Sequence, residues 1–352
     1  MKNYINNAVI IREPLDLDHP DVFLDAQIPY PILQPKDLIV KVEAISINPA
    51  DTRARLRKTK DGQNTVLGWD VAGKIVEIGS EVIEDFKIGD EVYYAGDINR
   101  SGGNCTYHAI DSRMVAHRPK SIDQGSAAAL PLVSLTAWEV LFDRFSFPYC
   151  SKGACELLES SNKVKSSILI IGGAGGVGSM AIQLAKLVPG IKIIATASRP
   201  ETRDWCVSLG ADYVIDHNKN IEEQLINIGY PEVAYVLICN SPDKYFSILP
   251  QIVSPFGRVC NIVPFSEKQD FNLLMRKSIS FYWELMFTYS SFDQDNMINQ
   301  SKTLNKISKL IDENHIISPV NVKLKEINAK NIKVAHHLIE SRSSIGKVVI
   351  EA

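Results

Sequence analysis

Two hydrophobic rhythms divide the chain. Up to about residue 125, short β-type runs such as DLIVKVEAISI (37–47), AGKIVEIG (72–79), DEVYYAG (90–96) and CTYHAI (105–110) are punctuated by Gly, Pro, Asn and Asp. That pattern predicts a compact, mostly antiparallel β domain. From Asp123 a helical stretch with small residues, SAAALPLVSLTAWEVLF, leads into strict alternation: SSILIIG, VGSMAIQLAKLV, IKIIATA, ETRDWCVSLG, DYVID, NIEEQLINIG, VAYVLIC, DKYFSILPQIV and GRVCNIV. Apolar runs alternating with helical segments predict a parallel, doubly wound α/β sheet covered on both faces. After about residue 290 the chain returns to a helix, a short strand (NVKLKEI), a second helix (AKNIKVAHHLIES) and a closing strand, GKVVIEA. A terminal strand that short needs a sheet to join, and the first domain offers one. The expected division is therefore 129–289 for the doubly wound domain, with 1–128 and 290–352 forming the β domain around it. The polar insertion CSKGACELLESSNKVKSS (150–167) reads as a surface loop.

Composition narrows the function classes. A length of 352 residues exceeds what one core usually organises, in agreement with two domains. With 45% hydrophobic and 22% charged residues and a formal net charge of -3, the chain has no general attraction for nucleic acid or an anionic membrane. No stretch approaches the roughly 18 apolar residues of a membrane span, and the opening MKNYINNAVIIREP is too short of apolar residues for a signal segment, so a cytoplasmic protein is expected. The six cysteines are scattered without any C-x-x-C, which suits reduced thiols better than a disulfide frame or a zinc knuckle. The basic run RARLRKTK (53–60) is expected to be a solvated loop, and the adjacent His336 and His337 would point about 100° apart on a helix, so they cannot chelate one metal together.

The strongest motif is IIGGAGGVGSMAIQLAK, Ile170 to Lys186. Read as Gly173-x-Gly175-x-x-Gly178, it follows an apolar strand and opens an amphipathic helix, the context of a dinucleotide fingerprint. Glycines let the turn close and the backbone approach a pyrophosphate at the helix N-terminus. About 20 residues on, where an NAD site carries an acid, the chain reads ATASRPETRDW, with Ser198 and Arg199. A hydroxyl and a guanidinium there suit a 2'-phosphate, so NADPH is the expected cofactor. The expected cofactor-binding set is Asn48, Thr136, Gly173, Ala174, Gly175, Gly176, Val177, Gly178, Ser198, Arg199, Asn240 and Val263.

ISINPAD (45–51), VLGWDVAGKIVEIG, FKIGDEVYYAG, AAALPLVSLTAWEVL, the Gly-rich turn, LGADYVID and GKVVIEA occur in an order that resembles the medium-chain dehydrogenase/reductase superfamily, in particular its quinone oxidoreductase branch and the bacterial zinc-type alcohol dehydrogenase-like proteins. The resemblance covers nearly the whole chain. It implies a GroES-like catalytic domain built from both chain ends, a Rossmann domain between them and frequently a homodimer. In zinc-dependent members the segment matching VLGWDVAG carries a ligand His followed by Glu, and the segment matching INPAD a ligand Cys. This chain has Trp69, Asp70 and Asn48 there, and the helix pair after Asp123 holds no Cys or His. One carboxylate cannot hold a catalytic zinc, so no metal is expected, the indole is expected to fill space and Asp70 to bond a neighbour.

Without a metal to polarise it, a simple ketone or alcohol is a poor hydride partner, whereas a quinone or an α,β-unsaturated carbonyl spreads the charge it receives. The expected activity is NADPH-dependent reduction of such small molecules. Asn48 is the first candidate for a hydrogen-bond donor near the reacting ring, or else caps Pro49 and Asp51; Tyr94 is the second candidate, or else packs in its strand. A zinc alcohol dehydrogenase with unorthodox ligands and a non-catalytic NADPH-binding redox sensor remain as alternatives. The aromatic run ISFYWELMF (279–287) is expected to supply an edge strand that pairs two copies.

Overall fold

A computed structural model describes residues 5–148 and 166–352. The chain forms two compact units, Met1–Leu135 with Phe287–Ala352, and Thr136–Met286. Most of the polar insertion expected as a surface loop lies outside the described residues.

In the first unit, β1 (Asn6–Ile11), β2 (Leu24–Ile28), β3 (Asp37–Ile47), β4 (Thr65–Val66), β5 (Asp70–Ile78), β6 (Glu91–Ala95), β7 (Tyr107–Asp111) and β8 (Ala116–His117) precede the second unit. Helix α1 (Pro49–Leu56) follows β3, and α2 (Gln124–Ala128) and α3 (Pro131–Trp138) close the segment. The second unit holds β9 (Ser167–Ile171), α4 (Gly176–Lys186), β10 (Lys192–Thr196), α5 (Pro200–Ser208), β11 (Tyr213–Ile215), β12 (Val233–Ile238), β13 (Val253–Asn261) and β14 (Ser280–Trp283). The chain then returns to the first unit with β15 (Val320–Lys325) and β16 (Lys347–Glu351).

The larger sheet of the first unit runs β15-β16-β3-β5-β6-β8, with β7 also paired to β3, and a smaller sheet runs β2-β1-β4. The closing strand β16 lies antiparallel to β3, Val348 opposite Ile47, and buries Val348, Val349 and Ile350 completely. β3 and β5 are also antiparallel, Ile45 opposite Val71. A side chain at Gly73 would meet the Lys41 carbonyl oxygen at 2.2 Å, so only glycine lets these strands approach. This register brings the end of β3 between the beginnings of β5 and β16.

The second unit is a parallel sheet in the order β11-β10-β9-β12-β13-β14. Counted from β9 this is 3-2-1-4-5-6, the doubly wound order whose strand order reverses beside β9, where such folds bind dinucleotides. Its central strands β9 and β10 are nearly all apolar and buried, as a sheet covered on both faces requires. The run ISFYWELMF supplies β14 at the sheet edge, with Trp283 and Leu285 about half exposed.

One local expectation changes. The basic run 53–60 is not simply a solvated loop: it completes α1, and Arg55 is buried with its guanidinium 2.6 Å from Glu340 and bonded to the Leu15 carbonyl. His336 is buried against Phe23, and burial pushes its imidazole down to about 3, so it stays neutral in the core.

Candidate cofactor and active site

The glycine-rich turn between β9 and α4 has the shape that its sequence predicts. Gly172 takes φ +87°, a left-handed conformation that favours glycine, and its N–H donates to Thr196 Oγ1 at 3.0 Å. A Cβ at Gly178 would lie 2.2 Å from the Gly172 carbonyl oxygen, and one at Gly173 2.8 Å from the Ala195 Cβ, so both glycines serve close packing of helix on sheet. Gly175 differs, because its added Cβ would meet nothing nearer than 3.5 Å. It N-caps α4 without a side-chain cap, and Gly175 is exposed while Gly176 and Val177 are partly so. The first-turn N–H groups of an 11-residue helix thus face an open cradle, which fits a pyrophosphate. Ala174 sits buried within the same turn.

Asn240, Val263, Ser198 and Arg199 each follow the carboxyl end of a parallel strand. The Asn240 side chain stands beside the turn, 2.6 Å from where a Cβ on Gly172 would be. Val263 follows β13 and is pinned by Asn261, whose amide donates to its carbonyl at 2.8 Å and accepts its N–H at 3.2 Å. Thr136 is buried in α3. Ser198 and Arg199 follow β10, and Arg199 forms the N-cap of α5 with Nε 2.8 Å from the Glu201 carboxylate.

The sequence reading missed the surroundings of Arg199. Arg203 donates to the carbonyls of Ala197 and Val214, at 3.3 and 2.8 Å, clamping the ends of β10 and β11. Burial, then the Lys244 and Arg199 cations, hold the His217 imidazole below its ordinary range, and Lys244 donates to the His217 carbonyl at 2.7 Å. A basic trio from three separate segments therefore gathers beyond β10 and β11. No local motif could have announced it.

In the first unit the sheet register assembles four polar side chains, Asn48, Asp51, Asp70 and Lys347, none more than 3% exposed. Lys347 Nζ donates to Asp70 Oδ2 at 2.9 Å, to the Ile47 carbonyl at 3.3 Å and to Asn48 Oδ1. Asn48 Nδ2 donates to Asp70 Oδ2 at 2.8 Å and more weakly to the Ser46 carbonyl at 3.4 Å, while the Asn48 N–H donates to Asp51 Oδ2 at 2.7 Å. The remaining oxygen of Asp70 accepts the Leu132 N–H at 2.8 Å. Burial pushes the Asp51 carboxyl up to about 7, against the opposing pull of the Asn48 N–H and the Lys347 cation.

These bonds revise both candidate donors. Both amide hydrogens of Asn48 are directed at protein acceptors and its oxygen at Lys347, so the side chain is a fixed part of the network and not an idle donor. Tyr94 is fully buried, and its hydroxyl lies 2.9 Å from His108 Nδ1. His108 Nε2 lies 2.9 Å from the Ser101 carbonyl and must donate there, which leaves Nδ1 to accept from Tyr94. Burial lowers His108 to about 4, so this arrangement holds at neutral pH, and the Tyr94 hydroxyl is spent on the core. Trp69 packs edge-on to Phe287 at 5.9 Å between centroids and donates to the Asp97 carbonyl at 3.3 Å.

The same bonds decide how the first unit suits a metal. Asp70 has both oxygens committed, a lysine ammonium supplies the positive charge beside it, and Asn48 and Trp69 stand at the other positions where zinc-dependent relatives carry ligands. This set does not fit zinc, which binds deprotonated Cys, neutral His or carboxylate in groups of at least three at a catalytic centre. Among the described residues no group of three or more His, Cys, Asp or Glu side chains is placed to hold a metal. Purified protein is therefore expected to carry well under one zinc per chain and to keep its thermal transition in chelator; stoichiometric zinc by elemental analysis would contradict the assignment.

A Rossmann unit with a glycine cradle, set within the chain of a GroES-like β unit, defines the medium-chain dehydrogenase/reductases. The chain belongs to that superfamily. Residues 34–134 match the family model for the alcohol dehydrogenase GroES-like domain, and residues 176–302 the one for zinc-binding dehydrogenase. A zinc-type alcohol dehydrogenase-like protein of Staphylococcus aureus is 37% identical over 339 residues, 96% of this chain and 98% of the relative. The crystal structure of a proposed zinc-dependent alcohol dehydrogenase from Rhizobium etli superimposes with a TM-score of 0.91 at 40% identity, over 99% of this chain and 98% of that one. The chloroplastic NADPH-dependent alkenal/one oxidoreductase of Arabidopsis thaliana is 36% identical over 212 residues, 57% of this chain and 50% of the relative.

Proposed function

We propose that the protein is an NADPH-dependent, metal-independent reductase that passes hydride to quinones or other α,β-unsaturated carbonyls. The observation that carries this reading is the pairing of an intact dinucleotide cradle with a metal position taken over by Lys347, Asn48 and Asp70. The bound nicotinamide supplies the hydride. The α4 N–H groups hold the pyrophosphate, and Arg199 and Lys244 present positive charge to a 2'-phosphate. With no Lewis acid at hand, an acceptor that delocalises its own negative charge is favoured over an isolated ketone or alcohol. The alkenal/one activity of the Arabidopsis relative, which aligns over part of the chain, supports the same acceptor class.

A panel that follows NADPH oxidation with quinones, enones, simple ketones and aldehydes tests the proposal. Turnover is expected with the conjugated acceptors and at least tenfold slower with the others. Cofactor binding without turnover on any acceptor would favour a redox sensor. Oxidation of simple alcohols that depends on added zinc would favour a metal-dependent dehydrogenase.

The proposed working form is a homodimer joined along β14. Among the described residues this strand is the last of the parallel sheet, and Trp283 on it and Leu285 just after it are about half exposed. Light scattering at micromolar concentration is expected to give twice the chain mass, and Trp283→Lys to shift the population toward monomer. A monomeric parent protein would refute the interface.

A further inference from the structure

A buried acid pair in the second unit is not used by the reading above. Glu139 opens a π-helical segment, Glu139–Arg144, that continues α3. Glu284 directly follows β14, and its N–H still donates to the Asn261 carbonyl at 3.2 Å, which fixes it at the carboxyl end of β13 and β14. Both side chains are less than 5% exposed. One cation serves them: Arg144 Nη2 lies 2.8 Å from Glu284 Oε2, and Arg144 Nε donates to the Trp283 carbonyl at 3.3 Å. Glu284 Oε1 is buried and receives no N–H or hydroxyl donor among the described residues, and the Glu139 carboxyl lies within hydrogen-bond reach of Glu284. A π turn interrupting a helix is frequent at functional sites, and two carboxyls buried against each other are costly unless one of them keeps its proton.

The strand order says what lies beyond. The pyrophosphate cradle follows β9, and the residues expected to meet the adenosine half follow β10, on one side of it. The other half of a dinucleotide then extends across β12 toward β13 and β14, two and three strand spacings of about 4.8 Å past β9. Asn240, Asn261 and Glu284 mark that path. We propose that Glu139 and Glu284 form the charge-sensing wall of the nicotinamide end of the cofactor site, holding one proton between them whose affinity follows the charge of the ring. This rests on the assignment of a nicotinamide dinucleotide to the cradle.

The electrostatics are those of two acids beside one guanidinium. Burial and the neighbouring Glu284 hold the Glu139 carboxyl well above the usual range, so it carries the proton at neutral pH; Glu284 is raised by burial, with Glu139 and Arg144 opposing. Asp143 on the same π segment adds negative charge, and Cys260 on β13 faces Glu284 as a neutral thiol. Loss of hydride makes the nicotinamide ring cationic. A cation at this end favours the doubly ionised pair, and by linkage the doubly ionised pair binds the cationic form more tightly. Binding of oxidised cofactor should therefore strengthen as pH rises, while binding of reduced cofactor should change little.

The test is the ratio of dissociation constants for NADP+ and NADPH, measured by calorimetry on the full chain between pH 6 and 9. The 2'-phosphate and His217 titrate alike with both cofactors and cancel in the ratio. For the parent protein NADP+ is expected to gain about tenfold on NADPH for each unit by which the cation lowers the pair's proton affinity. Glu139→Gln keeps a hydrogen-bond donor beside Glu284 and should flatten the ratio against pH. Glu284→Gln leaves Arg144 uncompensated and should weaken NADP+ about tenfold more than NADPH. Thermal transitions of both variants show whether they are folded, and NADPH binding by either shows an intact cradle. A ratio constant within twofold across the range in the parent protein would overturn the inference alone. Failure of either nucleotide to bind the parent protein would overturn the cofactor assignment and this inference with it.

Discussion

Replacing Lys347 with methionine is expected to lower stability by about 3 to 5 kcal/mol, the range for breaking a buried ion pair by removing one partner. The ammonium is 3% exposed and Asp70 fully buried, so water cannot take over the lost partner. Its carboxylate keeps the Leu132 N–H and the Asn48 amide, but two neutral donors do not balance a buried charge. Asn48 also loses the donor to its Oδ1, which loosens the residue between β3 and α1. At about 2 to 4 °C per kcal/mol, the thermal midpoint should fall by roughly 6 to 20 °C. Adding Asp70→Asn removes the stranded charge while retaining an acceptor for the Leu132 N–H, so the double variant should be more stable than Lys347→Met alone. A thermal shift below about 2 °C for the single variant, or strict additivity in the double, would show that the pair is not coupled.

The second large effect is on cofactor choice. Substituting Arg199→Ala is expected to weaken NADPH by roughly 10- to 100-fold and leave NADH nearly untouched, from about 1.5 to 3 kcal/mol of charge-assisted hydrogen bonding at 1.4 kcal/mol per tenfold. Glu201 decides where in that range the effect falls, since its carboxylate already holds the guanidinium at 2.8 Å and repels a phosphate. Glu201→Gln should accordingly raise the preference for NADPH above that of the parent protein. A residual preference after Arg199→Ala is expected from Lys244. Direct titration with both nucleotides settles the point: equal weakening of NADPH and NADH by Arg199→Ala would make Arg199 a helix cap and nothing more.

Much of this protein is legible along the chain because the relevant forces are local or periodic. The alternation of apolar runs with amphipathic helices set out the parallel sheet, and Gly173-x-Gly175-x-x-Gly178 placed the cradle, since turn closure and helix initiation depend on neighbours in sequence. The shortness of GKVVIEA demanded a partner sheet, and β16 pairs with β3. The roles of single polar residues were less readable. Asn48 and Tyr94 had plausible chemistry by residue type, yet whether a donor is idle depends on what faces it, and their partners lie at Asp70, Lys347 and His108. Lys347 left only a faint sign, a cation opening a terminal strand whose next three residues are apolar.

By itself, then, the sequence determined the α/β architecture and the glycine-rich turn that opens α4, because spacing and residue type suffice for each. Only the tertiary structure decided what stands in the metal's place, which cations gather beside Arg199, and that Glu139 and Glu284 share one buried guanidinium. Those outcomes join residues up to 299 positions apart through strand register and sheet order. Electrostatic energies there are set by distance and burial, neither of which is a property of any short stretch of chain.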